Sequence, residues 1–360
     1  MYKIEDIRNI QLEPSSFCNA RCPKCVRNYA GTELNTGYKE RNLSLSDIKH
    51  IFSIDFVKQL DRILYNGNLG DMIMNPEILE ITQWFRSVNP KVELTANTNG
   101  GAGSDEFWTE FAKTGITVNF ALDGLADTHS LYRQNTRFDR VLHNAKTFIA
   151  AGGVANWKMI QFEHNTHQID KCRQLARELG FKKFSLNPTN RGPGPAFDKN
   201  GKYHHPLEGF EIHPQQSRVL TTETKNEFFV DAKVTFMRYR EKANIVCHSK
   251  KMKELYINSL GEVYPCCFVG HNPSTLDPAV MWHNLQLKKL MTGIRNNALE
   301  YPLGECVSWF NIIEKTWSIA NIKDGRLSVC DESCGIDNVE MMPESGFTGH
   351  GGTTTTITII

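Results

Sequence analysis

The chain has 360 residues, of which 40% are hydrophobic, and its 41 Lys and Arg against 40 Asp and Glu give a formal net charge of +1. This composition excludes a disordered or fibrous chain, and the length is enough for one large domain with a smaller one attached. The near-neutral charge implies no broad basic surface, so nucleic acid is not an expected partner.

The N-terminal stretch MYKIEDIRNIQ lacks the apolar core of a secretory signal. No run approaches the roughly 18 apolar residues of a membrane span. We therefore expect a cytoplasmic protein with no membrane partner. Because disulfides are rare in a reducing compartment, clustered cysteines are interpreted first as metal ligands or catalytic groups.

Short β-rich runs alternate with stretches of helical periodicity along the first half of the chain. The predicted strands cover 9–13, 62–65, 92–96, 116–122, 157–162 and 181–186, and the predicted helices cover 46–60, 75–85, 139–151 and 166–180. This alternation indicates an α/β fold with a parallel sheet. Six such units can curl into a partial (β/α)6 TIM-like barrel, whose active site would lie at the carboxyl ends of the strands.

Composition divides the chain into four predicted segments. They are a partial barrel over 1–192, a Pro- and Gly-rich linker or lid over 193–244, a cysteine-rich module over 245–338 and a flexible tail over 339–360. Within the third segment, ELYIN and EVYPCCFV are predicted to form the two strands of a hairpin.

Cys18, Cys22 and Cys25 form a C-x3-C-x2-C array just after the first predicted strand. A structural zinc site would usually need a fourth Cys or His nearby, and none follows in the next twenty residues. Three thiolates would instead leave one iron of a [4Fe–4S] cluster open for a further ligand. Zinc, or cysteines with no common ligand, are the alternatives.

This array resembles the signature of the radical S-adenosylmethionine (SAM) enzymes, which lies at the end of the first strand of a partial (β/α)6 barrel. The resemblance implies that the open iron binds SAM through its amino and carboxylate groups. It further implies reductive cleavage of SAM to a 5′-deoxyadenosyl radical, which abstracts hydrogen from a substrate. A reductant such as flavodoxin or ferredoxin would supply the electron.

Gly70 and Asp71 resemble the end of the Gly-Gly-Glu-Pro segment that this family carries after its second strand. Glycine permits close backbone approach, and a carboxylate there could accept hydrogen bonds from the ammonium of SAM. The third strand ends in TNTNGG, which contains Asn99 and resembles a family segment ending in Thr-Asn-Gly. A Gly-Asp turn before a helix is the alternative for the first of these segments.

After the fourth predicted strand, the stretch FALDGLADTHSLYR resembles a further family segment. The resemblance places Asp123 near the ribose of SAM and Arg133 on its methionine carboxylate, which a guanidinium can bind in a forked geometry. Asn165 follows the fifth strand, where a polar cofactor contact is common in the family. A turn carboxylate or a surface ion pair is the alternative for Asp123 and Arg133.

The cysteine-rich module carries C-x13-G-x4-C, from Cys247 through Gly261 to Cys266, and ends with Cys330 and Cys334 in C-x3-C. This spacing resembles the auxiliary-cluster extension of radical SAM enzymes called SPASM, or twitch in its shorter form. The resemblance implies one auxiliary [4Fe–4S] cluster held by the four cysteines. A structural zinc site is the alternative.

Cys306 or Cys267 is a substitute candidate for the fourth ligand of that cluster, and Cys172 is interpreted as buried packing. We expect a peptide or small-molecule substrate, and no catalytic residue beyond the cofactor sites is assigned. Two other functions stay open, a non-enzymatic iron–sulfur electron carrier or binding protein and an RNA-modifying radical SAM enzyme. The second would be expected to have a basic surface.

Overall fold

The computed structural model describes residues 3–28, 30–32, 34, 39–188, 194–207, 244–271, 281–322, 324–336 and 355–358. In these ranges the strands are β1 (Asn9–Leu12), β2 (Arg62–Tyr65), β3 (Glu93–Thr98), β4 (Thr117–Ala121), β5 (Val154–Gln161), β6 (Lys183–Pro188), β7 (Gly194–Phe197), β8 (Tyr203–Leu207), β9 (Asn244–Ile245), β10 (Glu254–Ile257), β11 (Val263–Tyr264), β12 (Gly335–Ile336) and β13 (Thr355–Thr358). All six strands predicted from the sequence are present as β1 to β6.

A nine-stranded sheet, in the order β11-β10-β1-β2-β3-β4-β5-β6-β13, forms the centre of the described part of the chain. Strands β1 to β6 and β10 run parallel to one another. The edge strands β11 and β13 are antiparallel to theirs. Two small two-stranded sheets, β7 with β8 and β9 with β12, complete the strand pairing.

Helices connect the parallel strands of the first half. They are α1 (Leu45–Ile51), α2 (Ile54–Lys58), α3 (Ile78–Val88), α4 (Asp105–Lys113), α5 (His129–Tyr132), α6 (Phe138–Ala150) and α7 (Ile169–Glu178). The second half adds helices His248–Lys251, Cys267–His271, Met281–Leu290, Leu303–Val307, Phe310–Thr316 and Ser328–Cys334. Short 3-10 helices occupy Ile4–Asp6, Met72–Met74 and Glu163–Gln168. In the described ranges no helix has the length and apolar character needed to cross a membrane.

The single helix predicted over 46–60 is wrong, because the structure divides it into α1 and α2. Phe52 and Ser53 have extended backbone dihedral angles, and the Ser53 hydroxyl accepts a hydrogen bond from the Phe56 amide. A serine in this position caps a new helix, so it starts α2 instead of continuing α1. The α4 helix, which the sequence analysis did not predict, begins in the same way at Ser104.

One face of the sheet packs against the helices through large apolar side chains. Trp108 and Phe111 of α4, Phe148 of α6 and Phe120 and Trp157 of the strands are fully buried there. Several of these rings meet edge to face, with Trp108 and Phe148 at a centroid distance of 6.1 Å. Burial of each such side chain is worth about 1.5–3 kcal/mol, so this face accounts for much of the core stability.

The predicted hairpin of the cysteine-rich module is present as β10 and β11. It does not stand apart from the barrel, because β10 pairs in parallel with β1 over four residues. Glu254 of β10 also accepts hydrogen bonds from Gln11 at 2.7 Å and from Arg62 at 3.1 Å. Pairing covers the edge of β1 that would otherwise be open. The four-segment division of the chain stays a prediction.

The predicted flexible tail differs from the structure at residues 355–358. These residues form β13, which pairs antiparallel with Lys183–Leu186, because a β-branched run can add a strand to an open sheet edge. Residues 339–354 and 359–360 of the tail lie outside the described residues, as do residue 193 and residues 208–243 of the predicted linker or lid. Most of the described part of that linker is the hairpin β7–β8, whose strand pairing is also antiparallel.

Candidate active site

Cys18, Cys22 and Cys25 lie in the loop that follows β1, at the carboxyl end of the parallel sheet. Cys22 is buried and the other two are half-buried. Around the three thiols lies a small apolar cluster of Ala20, Tyr132, Ile160, Phe162, Ala196 and Leu207. The hairpin β7–β8 contributes two of these side chains, so the described part of the predicted lid packs beside the cysteine loop.

Two nitrogen donors approach the sulfur atoms of this loop. The Asn99 side-chain amide lies 3.6 Å from Cys18 Sγ, and a guanidinium nitrogen of Arg133 lies 3.8 Å from Cys22 Sγ. Burial, with Asp71 and the two neighbouring thiols, raises the pKa of Cys18 above its usual range. Thiolates at this site therefore need a compensating cation, and binding of a metal would release the protons of the thiols. Three clustered thiols with donors aimed at sulfur fit an iron–sulfur cluster.

Asp71 joins the loop after β2 to the end of β3. Its carboxylate accepts hydrogen bonds from the Thr98 hydroxyl at 2.7 Å, the Asn99 amide at 2.6 Å and the Ile73 amide at 3.2 Å. Burial raises its pKa despite these donors. The side chain therefore positions Asn99, which reaches Cys18, and the predicted contact of Asp71 with an ammonium group stays a prediction.

Gly70 lies against the backbone that leads into the cysteine loop. A Cβ atom at this position would overlap the carbonyl oxygen of Ser15 and would lie 2.7 Å from that of Phe17. The neighbouring Asp71 amide donates a hydrogen bond to the same Phe17 carbonyl at 2.8 Å. A side chain would force the two segments apart, so the glycine predicted from the sequence is required by close backbone contact.

Asp123 and Arg133 form a buried ion pair at the end of β4. The Arg133 Nε donates to Asp123 Oδ2 at 2.6 Å, and the Ile160 amide donates to Asp123 Oδ1 at 2.6 Å. The side chain of Asp123 is fully buried and that of Arg133 is 17% exposed. Another nitrogen of the same guanidinium lies 3.8 Å from Cys22 Sγ, so Asp123 holds Arg133 beside the cysteine site.

Asn165 is fully buried in the turn that follows β5. Its side-chain amide donates to the Ile160 carbonyl at 2.9 Å, and its oxygen accepts from the Phe162 amide at 2.9 Å. These bonds close the turn around the chain that borders the cysteine loop. A direct contact between Asn165 and a cofactor stays a prediction.

Glu13 is a site residue that the sequence analysis missed. It is fully buried at the carboxyl end of β1, and its oxygens accept from the Asn68 amide at 2.9 Å and the Leu69 amide at 3.4 Å. Burial raises its pKa to about 8. Its position one residue beyond a parallel strand was the available signal, since polar residues at strand ends form the site of such a fold.

Cys247, Cys266, Cys330 and Cys334 line one cavity in the second half of the chain, together with the apolar side chains of Phe268, Val269, Ile313 and Trp317. Burial and the neighbouring thiols raise the pKa of Cys266, and a hydrogen bond with Cys247 together with burial raises that of Cys334. Burial raises the pKa of Cys330 to about 12. The structure thus brings together the four cysteines chosen from their spacing.

The two substitute cysteines lie elsewhere. The Cys306 thiol is 3.7 Å from the Tyr301 carbonyl in the main core, and neither Cys306 nor Cys267 lines the cavity of the other four. Cys172 is fully buried in the core, as predicted. Among the described residues, no three or more His, Cys, Asp or Glu side chains have the arrangement of a metal site. The thiolates that hold a four-iron cluster would each bind a different iron atom. They therefore need not lie as close together as the ligands of one metal ion.

Solved structures similar to this chain include Streptococcus suis SuiB bound to precursor peptide SuiA, with a TM-score of 0.54 and 17% identity over 91% of this chain and 72% of that one. They also include anSMEcpe with bound AdoMet, with a TM-score of 0.54 and 15% identity over 91% of this chain and 86% of that one. A third is anSMEcpe with bound AdoMet and Cp18Cys peptide, with a TM-score of 0.51 and 15% identity, over 91% and 88% of the two chains.

This chain has the fold of those proteins. The predicted α/β partial barrel is therefore confirmed. The aligned part of this chain spans 60% of the length of SuiB bound to S-adenosylmethionine. No family model matches the sequence, and no curated protein matches it.

Proposed function

We propose that this protein is a radical SAM enzyme that abstracts hydrogen from a peptide or small-molecule substrate. The observation that carries this proposal is the arrangement at the end of β1, where three clustered thiols have Asn99 and Arg133 as donors to two of their sulfur atoms. The shared fold supports it, because one similar structure, that of anSMEcpe, contains bound AdoMet.

Cys18, Cys22 and Cys25 would hold the [4Fe–4S] cluster of this site. When bound, the cluster supplies the electron for reductive cleavage of SAM. Asp71 would keep Asn99 oriented toward Cys18, and Asp123 would keep the guanidinium of Arg133 oriented toward Cys22 and the methionine carboxylate. The apolar side chains around the loop would exclude water from this space.

The four cysteines of the second cavity would hold an auxiliary [4Fe–4S] cluster in a SPASM- or twitch-like module. Their thiols share one mostly apolar cavity, and four thiolates satisfy such a cluster. Trp317, which also lines this cavity, would shield the cluster from solvent. Burial of this kind is one of the factors that set the reduction potential of an iron–sulfur centre.

A peptide is the favoured substrate class. The solved structures that share the fold include SuiB bound to precursor peptide SuiA and anSMEcpe with bound Cp18Cys peptide. A flavodoxin or ferredoxin would deliver the electron, and the protein would act in the cytoplasm.

The experiment that tests this function is SAM binding to the anaerobically reconstituted, dithionite-reduced protein, followed by EPR. SAM should change the signal of the reduced cluster, and Arg133→Lys should weaken SAM binding about tenfold, since a lysine keeps the charge but loses the forked contact. Arg137→Lys is the control, because Arg137 is exposed. An EPR signal that SAM leaves unchanged would contradict the proposal.

A further inference from the structure

The face of the sheet that points away from the helices carries a row of side-chain amides. Asn97 of β3, Asn119 of β4 and Asn156 of β5 are directly paired in register. Asn119 Nδ2 donates to Asn97 Oδ1 at 3.0 Å, and Asn156 Nδ2 donates to Asn119 Oδ1 at 2.9 Å. The inner face of the barrel is therefore polar at this level, in contrast to the aromatic outer face.

Lys158 projects from β5 on the same face. Its ammonium donates to Asn97 Oδ1 at 3.2 Å, and burial lowers its pKa. Within the described ranges it forms no ion pair, whereas Arg62, another cation on this face, is paired with Glu254 at 3.1 Å. A half-buried ammonium whose described contact is one neutral amide oxygen is poorly compensated.

The lysine also fixes the orientation of the three amides. An ammonium group only donates, so the Asn97 atom that it contacts must be the oxygen. The Asn119 atom bonded to that oxygen must then be nitrogen, and the same reasoning assigns nitrogen to the Asn156 atom that meets Asn119. Asn156 Oδ1 is left as a buried acceptor with no hydrogen-bond partner in the structure.

This uncompensated pair of groups lies close to the cysteine site. Asn97 and Asn99 are two residues apart in β3 and the residue that follows it, which corresponds to about 7 Å along a strand. Asn99 reaches Cys18 Sγ, and Lys158 pairs in register with Ala121, two residues before Asp123. A molecule bound by Lys158 would therefore lie next to the space in front of the three cysteines.

We infer that Lys158 and Asn156 form a substrate subsite for a carboxylate that has an N–H group beside it. The carboxylate would pair with the ammonium of Lys158, and the N–H would donate to Asn156 Oδ1. A group with acceptors alone, such as phosphate, would leave that oxygen unpaired. The inference rests on the proposed function, because it identifies the occupant of this space as the substrate.

Two sources supply this chemistry, an acidic residue within a peptide and a free amino acid. The probes that separate them are N-acetyl-L-glutamate N-methylamide and free L-glutamate, each compared with its glutamine counterpart. We expect the reconstituted protein, in equilibrium dialysis with radiolabelled probes, to bind one of the acids at least tenfold more tightly than its amide. Preference for the blocked acid would identify an acidic residue within a peptide as the source. Preference for the free acid would identify a free amino acid.

Three variants test the residue assignment. Lys158→Met should abolish the preference for the acid, and Lys158→Arg should retain it. Asn97→Asp should also abolish it, because the new carboxylate would lie 3.2 Å from the ammonium and neutralise it without a change of shape. Lys146→Met, at an exposed position of α6, is the control for loss of a positive charge.

Three outcomes would each overturn the inference. They are equal binding of each acid and its amide, no binding of any probe, and an acid preference that survives in Lys158→Met. The measurement needs neither cluster reduction nor SAM cleavage. Acid-selective binding in a protein that does not cleave SAM would therefore contradict the proposed function alone, and SAM cleavage without acid selectivity would contradict this inference alone.

Discussion

At the scale of single residues, the candidate site depends on backbone contacts that leave no room for a side chain. Gly70→Ala should destabilise the protein by about 1–3 kcal/mol, because the added methyl group would overlap the carbonyl oxygens of Ser15 and Phe17. Gly67→Ala in the same loop is the control, since its nearest atom would be at 3.6 Å. Denaturant unfolding of the two variants measures the difference in their free energies of unfolding. Equal stability would show that Gly70 is not in close contact with the segment that leads into the cysteine loop.

Glu13 should give the stability a distinctive pH dependence. Burial raises its folded-state pKa from 4.5 to about 8, so between these values the folded protein retains a proton that the unfolded chain has lost. Stability should therefore fall as pH rises through this window, by up to about 1.4 kcal/mol per pH unit from this group. Glu13→Gln should reduce the slope, as seen in unfolding curves between pH 5 and pH 8. An unchanged slope would mean that Glu13 is ionised in the folded protein.

Sequence spacing was sufficient to predict that the cysteines lie together, and insufficient to predict which side chains contact their sulfur atoms. Cys18, Cys22 and Cys25 follow one strand within eight positions, so their proximity is a local property. The contact between Asn99 and Cys18 instead joins positions that are 81 residues apart, and no local pattern reports it. For Glu13 the strand end was a local signal, but its donors come from the loop after β2, and no local pattern reports those contacts.

At the scale of elements, the parallel strands were predictable because buried β-rich runs alternate with amphipathic helices. The break between α1 and α2 was not predicted, although Ser53 is a helix-capping residue, because the apolar periodicity continues across it. Nor could local periodicity place β10 beside β1, since that pairing joins residues 245 positions apart, as in Asn9 with Glu254.

The second cavity gives a prediction for the cysteine-rich module. Replacing both Cys330 and Cys334 with Ala should lower the iron content from about eight to about four atoms per chain, because only two of the four ligands of the auxiliary cluster remain. Cys306→Ala should keep about eight, since Cys306 does not line that cavity. Iron analysis after anaerobic reconstitution decides the matter. About four irons together with one zinc in the wild-type protein would exclude the auxiliary cluster.

At the scale of the whole molecule, the sheet joins the two groups of cysteines. The loop after β1 carries the first group, and β10, which pairs with β1, lies between two cysteines of the second group in the sequence. Glu13 and Asn68 of the barrel also interact with Cys267, the neighbour of Cys266. The module and the barrel therefore share one sheet, which gives a substrate subsite and both proposed clusters a common framework.

The central claim is that the three thiols after β1 support reductive cleavage of SAM. The most direct measurement is release of 5′-deoxyadenosine and methionine by the iron-loaded, dithionite-reduced protein supplied with SAM. We predict slow release without substrate, and none from the variant in which Cys18, Cys22 and Cys25 are all replaced by Ala. If the wild-type protein holds its iron and binds SAM but releases no 5′-deoxyadenosine, the claim is contradicted and an electron-carrier function takes its place.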